Sequence, residues 1–323
     1  MHIGNMMRLQ VEAKTRRSGQ HVPSSRRSTA IEAAAALPPF EVVAPADQRI
    51  PFVFNSPHSG RAYPAEFLTA SRLDERTIRR SEDAYVDQLF LSVVPLGAPL
   101  MRAHFPRAWL DVNREPYELD PAMFDGELPP YANIRSMRVA VGLGTIPRIV
   151  SENIEIYSEP QPVTEALYRI ESLYKPYHAC LERLIDMTRR RFGFAVLVDC
   201  HSMPSSVRMA PTRVRADFVL GDRYGASCAP EIVETAAAAL TEAGYSVVRN
   251  KPYAGGHITE HYGRPAEGVH ALQIEINRGL YMNERTFQPN AEFGRIAADI
   301  AGFTRALSKL PDAGLWPRTL AAE

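Results

Sequence analysis

Residues 194–202 read Phe-Ala-Val-Leu-Val-Asp-Cys-His-Ser, an apolar run that ends in polar side chains. Residues 52–60, Phe-Val-Phe-Asn-Ser-Pro-His-Ser-Gly, follow the same order. Short apolar runs bounded by turn residues are typical of strands buried on both faces of a parallel sheet. The carboxyl ends of such strands meet at the edge where α/β proteins bind ligands. We therefore expect His58 and His201 to lie close together at that edge.

The rest of the chain alternates between short apolar runs and longer amphipathic segments, which is the pattern of a layered α/β domain. We predict three layers, with a mixed, mostly parallel sheet flanked by helices. Pro176 is expected to kink or divide the longest helical segment. Strands are predicted over residues 52–55, 99–103, 109–113, 194–200, 217–220, 246–250 and 271–277, and helices over residues 83–94, 163–192, 230–243 and 293–310.

The chain is predicted to hold one catalytic domain, residues 39–323, after an extension over residues 1–38. Residues 1–30 are rich in Arg, Ser and Gln without a sustained apolar period, which indicates disorder. A transit peptide or an early start codon are alternatives. Residues 115–149 are rich in Pro, Gly, Asn and Tyr. Such a long loop is predicted to be an ordered cover over the site, and a remote insertion is the alternative.

Composition favours an enzyme that acts on a small molecule. The 37 basic and 37 acidic residues give a formal net charge of zero, so no overall field attracts nucleic acid or an anionic membrane. No apolar stretch approaches the roughly 20 residues that span a bilayer. The three cysteines are scattered, and this fits a reduced cytoplasmic compartment. The oligomeric state is not predicted.

Two histidines at one sheet edge indicate a metal-dependent hydrolytic site. A catalytic zinc commonly has three protein ligands, often two imidazoles and a carboxylate, with a fourth position left for water. The candidate carboxylates lie in residues 81–87, Ser-Glu-Asp-Ala-Tyr-Val-Asp, at the start of a predicted helix. Helix capping would explain either acid taken alone. Glu82 and Asp83 therefore both stay open as the third ligand.

Residues 271–278, Ala-Leu-Gln-Ile-Glu-Ile-Asn-Arg, alternate between apolar and polar side chains. This alternation places Glu275 on the polar face of a strand. A carboxylate inside a buried strand is costly unless it is compensated, and a role as general base for a metal-bound water would explain it. The alternative is a surface residue paired with an arginine.

Two further segments are candidates for binding the substrate. Residues 255–264, Gly-Gly-His-Ile-Thr-Glu-His-Tyr-Gly-Arg, combine paired glycines with a dense polar cluster. Residues 111–114, Asp-Val-Asn-Arg, follow a predicted strand, and Arg107 lies just before them. Guanidinium groups bind carboxylates through two parallel hydrogen bonds, so these arginines are candidate ligands for a carboxylated substrate.

Six motifs in order, at residues 55–60, 81–87, 111–114, 199–202, 255–264 and 273–275, resemble the N-formylglutamate amidohydrolase (N-formylglutamate deformylase) family. The resemblance covers about residues 50–290. It implies a zinc-carboxypeptidase-like (phosphorylase/hydrolase-like) fold. It also implies a Zn²⁺-dependent, or otherwise divalent-metal-dependent, cleavage of N-formyl-L-glutamate to formate and glutamate, within a route of histidine degradation.

The resemblance further implies roles for single residues. The metal ligands would be His58, Asp83 and His201, and the general base would be Glu275. Arg114, supported by Arg264, would fix the substrate carboxylate, and one of two histidines would stabilise the oxyanion. The resemblance implies that Arg114, His261 and Arg264 face the substrate. Asn113 and His257 are further candidates for binding it, and His261 joins Glu275 as a candidate catalytic residue.

The chain departs from the family pattern at two places, Ala84-Tyr85 and Asn277-Arg278. The resemblance therefore extends further to the chemistry than to the substrate, which is predicted as an N-formyl or other N-acyl amino acid. Two other functions stay open. One is a binding module or sensor for a small carboxylated ligand. The other is a cysteine hydrolase that uses Cys200, although strand neighbours point to opposite faces, which places Cys200 poorly for proton exchange with His201.

Overall fold

The structure is a computed structural model that describes residues 37–151, 154–207 and 215–310. Strands and helices alternate along the chain, as the sequence predicts. The strands of the described residues are β1 (Phe40–Val43), β2 (Phe52–Ser56), β3 (Leu100–Ala103), β4 (Phe124–Asp125), β5 (Gln161–Pro162), β6 (Ala195–Met203), β7 (Phe218–Gly221), β8 (Val247–Arg249), β9 (Val269–Asn277), β10 (Met282–Asn283) and β11 (Gln288–Pro289).

Seven of these strands form the main sheet, in the order β1-β3-β2-β6-β9-β7-β8. Strands β3, β2, β6 and β9 run parallel, whereas β1 and β7 pair antiparallel with β3 and β9. The carboxyl ends of β2, β6 and β9 therefore lie at one edge. In the ladder between β6 and β9, His201 is the partner of Glu275.

Helices cover both faces of the sheet. The helices Val86–Leu89, Val93–Leu96, Pro230–Glu242 and Phe293–Leu307 pack on one face, and the helices Val163–Arg169 and Lys175–Phe192 pack on the other. The predicted three-layer α/β fold with a mixed, mostly parallel sheet is confirmed. The helices of the described residues are α1 (Ala65–Ala70), α2 (Glu75–Ile78), α3 (Val86–Leu89), α4 (Val93–Leu96), α5 (Met137–Ala140), α6 (Val163–Arg169), α7 (Lys175–Phe192), α8 (Pro230–Glu242), α9 (His257–Tyr262) and α10 (Phe293–Leu307).

Strand β6 explains why the apolar run is continuous rather than alternating. Val196 and Val198 pack into the cluster on one face, and Ala195 and Leu197 pack into the cluster on the other. A strand that is covered on both sides needs apolar side chains on both sides. The polar residues begin at Asp199, where the side chains reach the carboxyl edge of the sheet.

Two predicted elements are wrong. Residues 109–113 form an irregular loop instead of a strand, because the Asp111 carboxylate accepts a hydrogen bond from the backbone N–H of Asn113 (2.9 Å) and bends the chain. Residues 83–94 are not one helix. Tyr85 has a left-handed backbone (φ +66°), so α3 begins only at Val86 and the preceding acids stay in a turn.

The long helical segment of residues 163–192 is divided next to Pro176, as expected. Helix α6 ends at Arg169, a π-helical turn spans Ile170–Tyr174, and α7 begins at Lys175. Proline lacks the N–H that would bond to the preceding turn, so the helix accommodates it by changing its hydrogen-bond pattern just before it.

Some predictions concern residues outside the described ranges. Most of the predicted extension over residues 1–38, and the tail after Leu310, lie there. Within the described ranges, no helix is both long and apolar enough to cross a membrane.

Candidate active site

A cavity of about 440 Å³ opens at the carboxyl edge of the sheet. Three of its lining residues come from neighbouring parallel strands or the loops after them: His58 follows β2, His201 lies in β6 and Glu275 lies in β9. Asp83 joins them from the turn before α3. The edge where the sequence predicts a site is therefore the edge that carries the cavity.

Three side chains converge in this cavity with their ligand atoms facing one another. The Nδ1 atom of His201 lies 3.2 Å from His58 Nδ1 and 3.0 Å from Asp83 Oδ2. His58 Nδ1 lies 3.4 Å from the same carboxylate oxygen. A backbone hydrogen bond from Asp83 N to the His58 carbonyl (3.0 Å) fixes the two segments together. All three side chains are buried.

This donor set fits a divalent metal ion. Each residue offers one atom, and the three atoms lie within 4.8 Å of one another. Two imidazole nitrogens and one carboxylate oxygen are a common protein set for a catalytic zinc, which leaves a fourth position for water or substrate. The residues present therefore agree with the predicted Zn²⁺ or other divalent metal.

Each histidine has a carboxylate behind it. His58 Nε2 lies 2.7 Å from Asp111 Oδ1, and His201 Nε2 lies 2.7 Å from Asp199 Oδ2. The row behind His201 continues, since Asn55 donates to Asp199 Oδ1 (2.8 Å) and the Tyr177 hydroxyl donates to Asn55 Oδ1. Carboxylates of this kind orient metal-binding imidazoles and raise their basicity.

The role of these two carboxylates is not predicted from the sequence. For Asp199 the strand pattern could have indicated it, because Asp199 precedes His201 by two residues and so shares its face of the strand. For Asp111 no such pattern exists, since it lies in a loop for which the sequence predicts a strand. Burial alone would raise the pKa of Asp111, but the Arg107 and Arg114 guanidinium groups hold it well below its usual value.

The charges of the central group compensate one another. Burial would raise the pKa of Asp83, yet His201, His58 and Arg278 hold it well below the usual range. Burial would likewise lower the pKa of His201, and the neighbouring carboxylates raise it well above its usual value. Asp83 therefore stays ionised despite its burial.

Arg278 orients the carboxylate of Asp83. Its Nη2 donates to Asp83 Oδ1 (3.0 Å), its Nε donates to Ser202 Oγ (3.0 Å), and the Ser202 hydroxyl donates to the same Asp83 oxygen (3.1 Å). With Oδ1 occupied in this way, Asp83 presents Oδ2 to the histidines. This position is one of the two departures from the family pattern, and the sequence does not reveal its role.

Glu82 is turned away from the cavity. Its carboxylate accepts hydrogen bonds from Arg79 Nε (2.9 Å) and from the Tyr63 hydroxyl (2.6 Å). Of the two acids that the sequence leaves open, Asp83 is the one that reaches the histidines.

Glu275 lies in the cavity wall beside His201, as their positions in the ladder require. Its side chain is 7% exposed, and Gln273 Nε2 donates to its Oε1 at 2.9 Å. Burial raises the pKa of this carboxyl to about 7. Leu272 and Ile274 point into the core. The predicted alternation of this strand is confirmed, and the alternative of a surface acid is wrong.

The predicted substrate segments divide into residues that reach the cavity and residues that do not. Asn113 and Arg114 line it, and Arg107 and Arg114 share the carboxylate of Asp111 at 2.9 and 3.5 Å. The loop before α9 also reaches it at Gly256, where an added Cβ would lie 2.4 Å from Asn113 Nδ2. Only glycine allows so close an approach.

The structure does not bring three of the predicted substrate residues to the cavity wall. His261 is exposed on α9, and Arg264 is exposed with its Nε 3.7 Å from Glu267. His257 is half-buried, and its ring lies 5.3 Å from that of His261, one helical turn away. Burial, together with His178 and His261, lowers the pKa of His257 to about 3. We therefore do not place His257, His261 or Arg264 in the site.

The long loop of residues 115–149 is ordered and covers the site. Leu143, Pro147 and Ile149 line the cavity, and the Leu143 carbonyl accepts a hydrogen bond from Arg114 Nε (2.7 Å). The remote-insertion alternative is wrong.

Cys200 is buried in the core cluster on the other face of β6, and burial raises its thiol pKa. A cysteine hydrolase is therefore not supported.

The fold and the cavity define a class of protein, an enzyme-like α/β domain whose polar cavity at the carboxyl edge of the sheet holds a His–Asp–His group. The chain belongs to the N-formylglutamate amidohydrolase family, whose sequence model matches residues 50–282. It is 33% identical over 239 residues to the N-formylglutamate deformylase of Pseudomonas putida, covering 73% of this chain and 83% of the relative. The deformylase of Pseudomonas aeruginosa PAO1 is 32% identical over 263 residues, covering 80% and 90%.

A solved structure agrees with this assignment. The crystal structure of N-formylglutamate amidohydrolase from Ralstonia eutropha JMP134 superposes with a TM-score of 0.79 at 36% identity, covering 84% of this chain and 97% of that one. The resemblance in the six motifs and the family assignment are thus confirmed.

Proposed function

We propose that this chain is a metal-dependent amidohydrolase that cleaves N-formyl-L-glutamate, or a related N-acyl amino acid, to formate or the corresponding acid and the free amino acid. The observation that carries the proposal is the convergence of His58, Asp83 and His201 within 4.8 Å, with Glu275 in the adjacent strand. The names of the relatives supply the substrate. A cytoplasmic location and a place in histidine degradation stay predictions.

The residues divide the chemistry between them. A divalent ion held by His58, Asp83 and His201 would polarise the amide carbonyl and lower the pKa of a bound water. Glu275, buried beside this centre, accepts the proton of the attacking water and delivers one to the leaving amine. Arg107 and Arg114 bind a carboxylate of the substrate, because one acid, Asp111, compensates two guanidinium groups.

The test measures formate release from N-formyl-L-glutamate by the full chain before chelation, after exhaustive chelation and after reloading with Zn²⁺. We expect chelation to abolish turnover and zinc to restore it. Glu275→Gln should keep its metal but lower kcat on the order of 10³-fold. Glu234→Gln is the matched control, because Glu234 is exposed on α8.

Three outcomes would contradict parts of the proposal. Full activity after chelation rules out the metal, and a near-wild-type rate in Glu275→Gln rules out the base. Tight binding of N-formyl-L-glutamate without turnover by the metal-loaded wild type would favour a sensor instead.

A further inference from the structure

Two adjacent arginines at the cavity have opposite surroundings. Arg79 is occupied, because its guanidinium pairs with Glu82 and lies 4.8 Å from the ring centre of Phe287. Arg80 lines the cavity, and its guanidinium has no hydrogen bond or ion pair to any residue that the structure describes. Arg80 is exposed, so solvent rather than an acid compensates its charge, and its guanidinium is available to a ligand in the cavity.

The next residue adds a second free polar group. Ser81 also lines the cavity, and its buried hydroxyl has no hydrogen-bond partner within the described ranges. Buried polar groups are normally hydrogen-bonded, so an unpaired hydroxyl in a cavity wall indicates a partner that arrives with the ligand. Arg80 and Ser81 are held in place from behind, since Arg278 Nη1 donates to the Arg80 carbonyl at 3.1 Å.

The charges of the cavity point to an anion with two charged groups. Arg278 is matched by Asp83, whereas Arg107 and Arg114 share the single charge of Asp111. Counted by direct ion pairs of the described residues, Arg107 and Arg114 thus share one carboxylate and Arg80 has none. Two separate uncompensated cations suit a ligand with two carboxylates.

The two cationic positions lie on different sides of the candidate metal centre. Arg107 and Arg114 contact Asp111, which faces Nε2 of His58 (2.7 Å), whereas Asp83 faces Nδ1 of the same ring (3.4 Å). The backbone of Arg80 lies on the Asp83 side, because the Arg278 guanidinium donates both to the Arg80 carbonyl (3.1 Å) and to Asp83 Oδ1 (3.0 Å). A bound amino acid could then place its α-carboxylate at the Asp111 side and its side-chain carboxylate at Arg80.

We propose that Arg80 and Ser81 form the subsite for the side-chain carboxylate of the substrate, and thereby select N-formyl dicarboxylic amino acids over neutral ones. This inference rests on the proposed function and deepens it. Neither residue belongs to the substrate set that the family resemblance implies.

The test compares kcat/KM for N-formyl-L-glutamate and its neutral isostere N-formyl-L-glutamine, using the zinc-loaded full chain. We expect Arg80→Met to lower kcat/KM for the glutamate derivative about 10-fold and to change that for the glutamine derivative less than about 2-fold. Arg80→Lys should keep part of the selectivity, and Ser81→Ala should cause a smaller loss than Arg80→Met. The matched control is Arg76→Met, because Arg76 is exposed on α2 and does not line the cavity.

Equal losses for both substrates in Arg80→Met, or no loss for either, would overturn the subsite. Calorimetric titration of L-glutamate and L-glutamine separates this failure from that of the proposed function. If the wild type hydrolyses neither formyl compound yet binds L-glutamate more tightly in an Arg80-dependent way, the proposed function fails and the subsite stands. If turnover occurs and the two amino acids bind equally, the subsite alone fails. If there is neither turnover nor selective binding of L-glutamate, both the proposed function and the subsite are wrong.

Discussion

The molecule contains two pairs of histidines that the sequence analysis assigns to the site, one as metal ligands and one as groups that face the substrate. His58 and His201 come from the ends of neighbouring parallel strands, are buried, and each has a carboxylate within 2.7 Å of Nε2. His257 and His261 come from one turn of a short helix at the surface, and neither has a carboxylate partner within the described residues. The pair that we propose to be functional therefore differs from the other by the acid behind each imidazole, whereas the local density of polar residues in sequence does not separate the two pairs.

The largest expected effect separates the two pairs directly. His201→Asn should lose the metal and lower kcat/KM at least about 1,000-fold, because one of three ligands is removed. His261→Asn should retain the metal and stay within about 2-fold of the wild type. Metal content per chain and formate release measure both variants. A comparable loss of activity in His261→Asn would remove the distinction that we draw between the pairs.

A smaller effect is expected from the carboxylate behind the histidine. Asp199→Asn preserves size but removes the charge that orients His201, so metal affinity should fall about 10- to 100-fold. Competition with a chelator of known affinity measures the change. Asp186→Asn serves as control, because the Asp186 side chain lies on α7 away from the cavity and is 50% exposed. Unchanged metal affinity in Asp199→Asn would mean that the acid serves only the packing of the strand.

The smallest effect concerns the two arginines that the sequence ranks together. Arg114→Met should raise KM for N-formyl-L-glutamate about 10-fold, since Arg114 lines the cavity and Asp111 does not fully compensate it. Arg264→Met should change KM less than about 2-fold, because Arg264 is exposed beside Glu267. A larger effect of Arg264 than of Arg114 would mean that α9 and the loop after it approach the substrate.

The strands and the central group were accessible to prediction because they depend on short-range patterns. The apolar runs of β2 and β6 identify buried parallel strands, and parallel strands bring His58 and His201 to one edge. The alternation of β9 likewise places Glu275 on the cavity face. In these elements the local pattern and the tertiary contacts require the same arrangement.

The remaining parts of the site depend on loops and long-range contacts that no local pattern encodes. Asp111 reaches His58 only because the loop after β3 folds back over the sheet. The Arg79-Arg80 pair gives no sign in sequence that one side chain turns to Glu82 and the other to the cavity. For α9 the local pattern was present but ambiguous, since a dense polar motif is equally typical of a solvated helix and of a binding loop.

The row Tyr177–Asn55–Asp199–His201 permits one arrangement of protons. The phenol donates to the amide oxygen, the amide nitrogen donates to the carboxylate, and the carboxylate can only accept from His201 Nε2. The proton on Nε2 is thereby held in place, and Nδ1, which faces Asp83 and His58, is the nitrogen that can exchange its own proton for a metal ion. The protonation of His201 therefore depends in part on Tyr177, in a helix of the outer layer, so substitutions on the interior face of α7 can change this imidazole without touching the cavity.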